Sequence, residues 1–332
     1  MVSLLRIILN KILAGARLLE TDNTMRNTRI LATGLVAAIA MTLVGCTTTS
    51  SSQARSDTIV AVGAENHYAD VISQIGGKYV TVTAVMSNPN TDPHTFEASP
   101  SVAQALSQAS LVVQNGLGYD DFMQTLEKAS PQSGRTVITA QKVLGLPDST
   151  PNPHLWYKPE TMPAVAGAIA KALTHLQPDH ADYFTQRLEA FTASLSVWKQ
   201  QLADFARDHP GVNVAVTEPV ADYMLEAAGV NIKTPWSLQA AIMNDTDPSP
   251  QDSAAQDALL ANKQVSVFLY NQQVTDSTTE HYLAIARAHD IPIVGVYETM
   301  PTGLTYQKWM IDQLDALTRA VTRGESTERL TS

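Results

Sequence analysis

Short β-rich runs alternate with helical stretches over most of this chain, and this alternation limits the folds that are open to it. The candidate strands lie at residues 59–62, 80–85, 111–114 and 136–139 in the first half and at 212–217, 265–270 and 291–297 in the second. Strands that are separated by helices pair in parallel, because each crossover returns the chain to the same end of the sheet. The pattern therefore predicts an α/β fold with mainly parallel sheets.

One long amphipathic stretch separates the two halves. Prolines at 178 and 210 supply start and stop signals for a helix from about 181 to 209. Its apolar residues recur at alternating spacings of four and three and form one stripe: Phe184, Leu188, Phe191, Leu195, Trp198, Leu202 and Phe205. Such a helix would be roughly 40 Å long, enough to join two lobes as a backbone. The alternative is two shorter helices with a break between them.

The composition excludes several classes of protein. The 332 residues suffice for two domains of ordinary size. A formal net charge of -10 argues against a nucleic-acid-binding protein, which needs a basic face. The single cysteine excludes an intramolecular disulfide, a cysteine-rich zinc site and an iron–sulfur cluster. Any metal site must therefore use histidine and carboxylate side chains.

The N-terminal region has the pattern of a secretory signal that ends at this cysteine. Reading from Met25, Arg26 and Arg29 precede an apolar stretch at 30–44, and the letters LVGC, which end at Cys46, have the form of a bacterial lipobox. The stretch is shorter than the roughly 20 apolar residues that a membrane span needs. We therefore expect a lipid anchor at Cys46 rather than a spanning helix.

Three expectations follow for the N-terminal region. Residues 1–45 are a signal peptide, in which 1–24 precede a complete signal and Met25 is the expected initiator. Residues 46–57 are a lipidated cysteine and a flexible polar tether. The protein is then secreted across the cytoplasmic membrane and anchored on its outer face, at the cell surface or in the periplasm. Removal of 1–45 takes five basic and two acidic side chains from the totals of 22 and 32 and leaves a more negative mature chain.

Two of the histidines stand in similar loops. His94 lies in NTDPHTF and His154 in TPNPHLW, and each directly follows a proline. Proline stiffens the backbone around it, so each imidazole is presented from a restricted loop. Neutral imidazole is the commonest metal ligand in proteins. The pair therefore indicates a metal site, although a single loop histidine is more often a surface residue.

Two glutamates stand at matching places in the second half. Glu218 follows the candidate strand 212–217, and Glu298 follows 291–297. Ligands of open parallel sheets bind beyond the carboxyl ends of the strands, which is where both side chains are expected. The alternative for each is a carboxylate that complements the positive end of a helix.

Other polar residues are weaker candidates. His67 follows the first candidate strand and is the main rival ligand, but we interpret it as a residue of packing or of local hydrogen bonding. Asn271 and Gln272 follow a strand end near Glu298 and are expected to orient the ligands. The remaining histidines lie on or beside helices without paired acids: His175, His180, His209, His281 and His289.

Two segments resemble the signatures of a known family. NPNTDPHTFEASPS at 88–101 resembles the DPHxFExxPS signature of the metal-binding lipoproteins that feed zinc and manganese ABC importers, and NPHLW at 152–156 resembles their [DN]PHLW signature. The likeness continues in order through TEP at 217–219, DPSPQD at 247–252, YNQQ at 270–273 and YETMP at 297–301. It covers nearly all of 58–321 and follows a lipobox, and that combination is specific.

The resemblance implies two α/β lobes joined by one long helix, with a metal ion held between them. His94 and His154 match the histidines of the N-terminal lobe. Glu218 matches a position that is histidine in many zinc members and glutamate in manganese members. Glu298 matches a position that is more often aspartate. The implied boundaries are an N-terminal lobe at 58–180, the linking helix at 181–209 and a C-terminal lobe at 210–332.

The implied function is capture of one divalent transition metal ion, Mn²⁺ or Zn²⁺ with Fe²⁺ as a third candidate, and delivery to an ABC permease and its ATPase. Two imidazoles with two carboxylates suit Mn²⁺ or Fe²⁺, yet such a site binds Zn²⁺ more tightly than Mn²⁺. We expect a monomer that binds no nucleic acid and is not an enzyme. A binding protein for a non-metal solute or an adhesin is the alternative. A secreted metallohydrolase ranks lower, because four protein ligands leave no position for an activated water.

Overall fold

The computed structural model describes residues 58–90, 96 and 99–330. The expected signal peptide, the initiator Met25, Cys46 and the tether lie outside these residues, and so does His94.

Eight strands form two four-stranded sheets in the described part of the chain. The strands are β1 (Ile59–Glu65), β2 (Val80–Met86), β3 (Leu111–Gln114), β4 (Thr136–Thr139), β5 (Asn213–Val216), β6 (Asn231–Ile232), β7 (Val267–Asn271) and β8 (Ile293–Val296). The first sheet has the order β2-β1-β3-β4, the second has the order β6-β5-β7-β8, and every neighbouring pair is parallel. The predicted α/β fold with two parallel sheets is thus confirmed. The two-residue β6 was not predicted, because it is too short to show a period.

Helices connect the strands. In the described residues they are α1 (Asn66–Gly76), α2 (Pro100–Gln108), α3 (Phe122–Ala129), α4 (Ala140–Val143), α5 (Thr161–Leu176), α6 (Ala181–Ser194), α7 (Ser196–Asp208), α8 (Asp222–Ala227), α9 (Trp236–Met243), α10 (Pro250–Ala261), α11 (Ser277–Ala288) and α12 (Tyr306–Arg323). The side chains of Ser249, Asp276 and Thr305 begin α10, α11 and α12 by accepting a backbone N–H three residues later. Among these helices none has the length and apolar character that a membrane crossing requires.

The link between the two sheets is helical, as predicted, but it has two segments. Helices α6 and α7 meet at Leu195, whose φ of -78° and ψ of -9° remain in the right-handed region. The Leu195 N–H donates to the Thr192 carbonyl at 3.3 Å, and the Lys199 N–H donates to the Leu195 carbonyl at 3.1 Å. The break is therefore a single tightened turn within the predicted helical span. The predicted stripe is buried except for Leu188, which is half-buried.

The hydrophobic core is continuous from the first sheet to the second. Val113 of β3, Trp198 of α7 and Leu269 of β7 belong to one cluster of buried side chains. Trp309 and Leu317 of α12 join the same cluster and are fully buried. A shared, closely packed core resists a wide hinge opening, so relative motion of the two lobes is expected to be small.

Candidate metal centre

The carboxyl ends of five parallel strands carry the polar side chains of the candidate site. β1 ends at Glu65 and β3 is followed by Asn115, while Glu218 follows β5, Asn271 ends β7 and Glu298 follows β8. All five side chains are buried. In each sheet the strand order reverses between the two central strands, and ligands of open parallel sheets bind at such switch points. The fold therefore directs buried polar groups of both lobes to the place where a ligand is expected.

His154 is oriented by Asn152, two residues earlier. The imidazole Nδ1 lies 2.7 Å from Asn152 Oδ1, and the His154 backbone N–H donates to the same oxygen at 3.0 Å. Because an amide oxygen can only accept, Nδ1 carries a proton, and Nε2 is the ring nitrogen that could offer a lone pair to a metal ion. The ring is fully buried. Nε2 is thus prepared as a donor to a metal ion.

The Glu298 carboxylate faces this nitrogen from the second lobe. Glu298 Oε2 lies 3.4 Å from His154 Nε2, and both side chains are fully buried. Asn271 Nδ2 donates to Glu298 Oε1 at 2.6 Å. An imidazole and a carboxylate from opposite lobes therefore meet, and a neighbouring amide side chain holds each of them.

Aromatic rings cover one side of this pair. The ring centroids of Tyr119 and Trp156 lie 6.0 Å and 5.3 Å from that of His154, and 4.9 Å from each other. Burial, together with the negative charge of Glu298, raises the pKa of Tyr119 well above its usual value. The phenol therefore stays neutral and contributes no charge to the site.

Glu218 is buried in a loop that is tied to the first lobe. Asn152 Nδ2 donates to the Pro219 carbonyl at 2.8 Å, and the Tyr223 hydroxyl donates to the Asn152 carbonyl at 3.0 Å. Within residues 58–90, 96 and 99–330, no group of three or more histidine, cysteine, aspartate or glutamate side chains could hold a metal ion. The structure thus brings His154 and Glu298 together, while the roles of Glu218 and His94 stay predictions.

His67, the rival ligand, is packed among aromatic rings. Its ring centroid lies 4.5 Å from that of Tyr68, 4.7 Å from that of Trp156 and 6.0 Å from that of Trp309. Burial lowers the pKa of His67 from 6.5 to about 3, so the ring is neutral at physiological pH. Both ring nitrogens are buried without a hydrogen-bond partner among the described residues, so of the two roles expected from the sequence the environment fits packing rather than local hydrogen bonding.

Two buried acids near the site were not predicted. Glu65 is fully buried, and burial, followed by the negative charge of Asp120, raises the pKa of Glu65 well above its usual value. Burial also raises the pKa of Asp120 to about 6, although its carboxylate accepts the backbone N–H groups of Asn115 and Gly116. The available signal for Glu65 was its position directly at the end of a strand, as for Glu298.

Of the two residues expected to orient the ligands, Asn271 contacts Glu298, whereas Gln272 contacts Val296. Asn271 binds the Glu298 carboxylate, as described above. The second contact comes from Gln273, whose Oε1 accepts the N–H groups of Glu298 and Thr299 at 2.7 Å and 2.8 Å. Gln272 is half-buried, and its backbone N–H donates to the Val296 carbonyl at 3.0 Å. The contact expected of Gln272 is therefore made by Gln273, which lies two residues after Asn271 and donates its N–H to Asn271 Oδ1 at 3.0 Å.

Comparisons with known proteins give a consistent result. Residues 62–320 match the family model described as ZnuA, zinc-uptake complex component A, periplasmic. The manganese-binding lipoprotein MntA of Bacillus subtilis (strain 168) is 23% identical over 308 residues, which are 87% of this chain and 99% of that protein. The manganese ABC transporter substrate-binding lipoprotein PsaA of Streptococcus pneumoniae is 24% identical over 222 residues, 63% of this chain and 71% of that protein.

A solved structure shows the same fold. The periplasmic zinc binding protein TroA from Treponema pallidum superposes with a TM-score of 0.68 at 21% identity, over 80% of this chain and all of that one. The arrangement of two parallel-sheet lobes is thus shared with a known periplasmic protein.

Proposed function

The chain belongs to the ZnuA family of periplasmic zinc-uptake components, and on this premise we propose that it captures a divalent transition metal ion, Mn²⁺ or Zn²⁺, between its lobes and delivers it to an ABC permease. The family is a solute-binding component of ABC importers and not an enzyme family. The ion is the cargo of the protein. The proposed ligands are His94, His154, Glu218 and Glu298.

The observation that carries the proposal is the buried pair of His154 and Glu298. A carboxylate that is withdrawn from water loses several kcal/mol of solvation, about what a nearby cation can offset. The Nε2 and Oε2 atoms face each other at 3.4 Å. Asn152 and Asn271 fix the two donors from behind. An ion that binds both groups would meet donors that are already oriented, which lowers the cost of organising the site.

The proposed ligand set favours neither metal absolutely. Two nitrogen and two carboxylate donors accept Mn²⁺, yet Zn²⁺ binds such sets more tightly because of the Irving–Williams order. Glutamate at 298 is longer than the aspartate that is commoner at this place, so the carboxylate can bind through one oxygen or both. We therefore propose a site that takes either ion, with the available metal deciding which is carried.

Delivery requires that the protein be held near the membrane. We propose that Cys46 carries the lipid anchor, that 47–57 form the tether, and that the folded part acts as a monomer beside a permease and its ATPase. This part of the proposal rests on the lipobox pattern and on the importer lipoproteins to which the chain is similar.

Thermal unfolding of the mature protein tests the proposal. A ligand that binds the native state at 100 times its Kd stabilises it by about 2.7 kcal/mol, so Mn²⁺ or Zn²⁺ should raise the Tm by about 5–10 °C. His154→Ala, Glu298→Gln and the double variant His94→Ala with Glu298→Ala should each abolish most of this gain. His175→Ala and Glu226→Ala, at exposed positions, are the matched controls and should keep it. An unchanged Tm with every divalent metal would contradict the proposal.

A further inference from the structure

The segment 297–305, between β8 and α12, carries Glu298 but is bound by residues of the first lobe. Asn66, at the start of α1, donates from Nδ2 to the Met300 carbonyl at 2.7 Å, and its Oδ1 accepts the Met300 N–H at 2.9 Å. A side-chain amide that pairs with both backbone groups of one residue acts like a neighbouring strand. We call this pair of hydrogen bonds the Asn66 clamp.

Further groups of the first lobe hold both ends of the same segment. The Tyr157 hydroxyl donates to the Tyr297 carbonyl at 2.9 Å, and both residues are buried. At the other end, the Tyr306 N–H donates to Asp70 Oδ2 at 2.9 Å. The backbone around Glu298 is therefore attached to the first lobe before, beside and after the carboxylate.

The Asn66 clamp binds the backbone close to the proposed ligand Glu298. Met300 is two residues from Glu298, and the Glu298 N–H itself is held by Gln273. The clamp and Gln273 thus fix the backbone on the two sides of Glu298. A shift of this backbone would move the carboxylate relative to His154, which belongs to the first lobe.

We propose that Asn66 is a positioning residue for the metal site: it ties the backbone beside Glu298 to the first lobe, while Asn271 and Gln273 of the second lobe hold the Glu298 carboxylate and N–H. This inference rests on the proposed function. It implies that the spacing of Glu298 and His154 depends on the Asn66 clamp as well as on the contacts within the second lobe. Removal of the clamp should leave the ion bound by fewer or poorly placed ligands.

The chain offers a matched control for this test. Gln307, at the start of α12, also joins the lobes through a reciprocal pair of amide hydrogen bonds, to Gln74 at 2.7 Å and 2.9 Å. Asn66 and Gln307 are both half-buried. Gln307 lies beyond the segment that carries Glu298. Its partner Gln74 also donates to Asp70 Oδ2 at 2.6 Å, so loss of Gln307 weakens the lobe interface near the end of that segment but leaves the Asn66 clamp beside Glu298 in place.

The experiment compares Asn66→Ala, Gln307→Ala and the unmodified protein, each as the full mature chain. Dissociation of Zn²⁺ into a fluorescent chelator should be about 10- to 100-fold faster for Asn66→Ala, the range typical of lost support for a metal ligand. Gln307→Ala should stay within about twofold of the unmodified protein, because the Asn66 clamp beside Glu298 stays intact. The Tm of each metal-free variant is measured alongside.

The visible absorption spectrum of the Co²⁺-loaded protein reports on the ligands of the ion, so a purely structural role of Asn66 would leave the spectrum unchanged. We expect the spectrum of Asn66→Ala to shift toward that of Glu298→Gln, and that of Gln307→Ala to match the unmodified protein. Asn66→Asp keeps the acceptor for the Met300 N–H, so its spectrum should lie between those of the unmodified protein and Asn66→Ala. This variant can be used for the test if Asn66→Ala folds poorly.

The outcomes separate the inference from the proposed function. If the unmodified protein binds neither Zn²⁺ nor Co²⁺, the proposed function fails and the inference fails with it. If it binds them and Asn66→Ala keeps the unmodified dissociation rate and spectrum, the inference alone is overturned. Equal losses in Asn66→Ala and Gln307→Ala would also overturn it, because they would indicate general weakening of the interface.

Discussion

His67 and His154 are both buried histidines, but their surroundings differ. The His67 ring is fully buried among three aromatic residues, and its pKa of about 3 makes protonation unfavourable in the folded state. His154 is equally buried, but it faces a carboxylate and is oriented by an amide oxygen. These surroundings are the basis on which we propose His154, and not His67, as a ligand.

The burial of His67 predicts a specific pH dependence. The unfolded chain binds a proton at this histidine below its usual pKa of 6.5, whereas the folded state does not until about 3, so stability is lost as the pH falls through that range. Between pH 7 and pH 5 the loss is about 2 kcal/mol. In metal-free protein, the free energy of unfolding of His67→Phe should therefore fall by about 2 kcal/mol less than that of the unmodified chain between pH 7 and pH 5, as measured by urea unfolding.

The comparison isolates His67 from other groups that titrate. Buried Glu65, Asp120 and Asp222 have raised pKa values, so they act in the opposite sense and lower stability as the pH rises. They are present in both proteins and cancel in the difference. His175→Gln, at an exposed site, should keep the unmodified pH profile. An unchanged profile for His67→Phe would show that His67 is not the group responsible.

At the residue scale, the sequence indicates two of the three strand-end glutamates, Glu218 and Glu298 but not Glu65, and none of the contacts that orient His154. Glu298 was predicted because it directly follows a β-rich run. Asn152 as the orienting partner of His154 was not, because a hydrogen bond between residues two apart depends on loop dihedral angles. The choice of Gln273 rather than Gln272 as the partner of the Glu298 N–H depends in the same way on the backbone of the turn after β7. Loop geometry is set by tertiary contacts, which a one-dimensional pattern does not contain.

At the scale of elements, hydrophobic periodicity is sufficient to predict the linking helical span and seven of the eight described strands. Six of the seven predicted stripe residues of the linking helix are buried, and each predicted strand overlaps an observed one. Long amphipathic helices and buried parallel strands have strong repeating signals. The tightened turn at Leu195 has no such signal, since leucine is a good helix former and the stripe continues through it.

The linking helix also yields a stability prediction. Trp198 is fully buried in the core shared by the two sheets, with its ring 6.2 Å from that of Tyr306 in an edge-to-face arrangement. Trp198→Ala should lower the free energy of unfolding by about 3–5 kcal/mol, because it leaves a cavity in this core. Val197→Ala, whose side chain is 54% exposed, is the neighbouring control and should change it by less than about 0.5 kcal/mol. Equal effects in guanidinium unfolding would contradict the role of the helix as a packed joint.

At the scale of the whole molecule, two lobes share one core and the candidate site lies between them. The lobes are joined by the linking helix, by the Asn66 clamp and by the Gln74 and Gln307 pair. Such a body suits capture of a small ion, which needs ångström-scale adjustment of loops, better than enclosure of a large solute by wide closure. The family membership and the geometry of the site thus support the same function.

The metal content of the mature protein is the most direct test of this account. The protein is purified without a chelator or an affinity tag, dialysed against equal Mn²⁺ and Zn²⁺, and measured by elemental analysis. The account predicts close to one bound ion per chain for the unmodified protein and for Glu226→Ala, and a large loss for Glu298→Gln. A folded protein that retains no transition metal under these conditions, or one whose metal content is unaffected by Glu298→Gln, would contradict it.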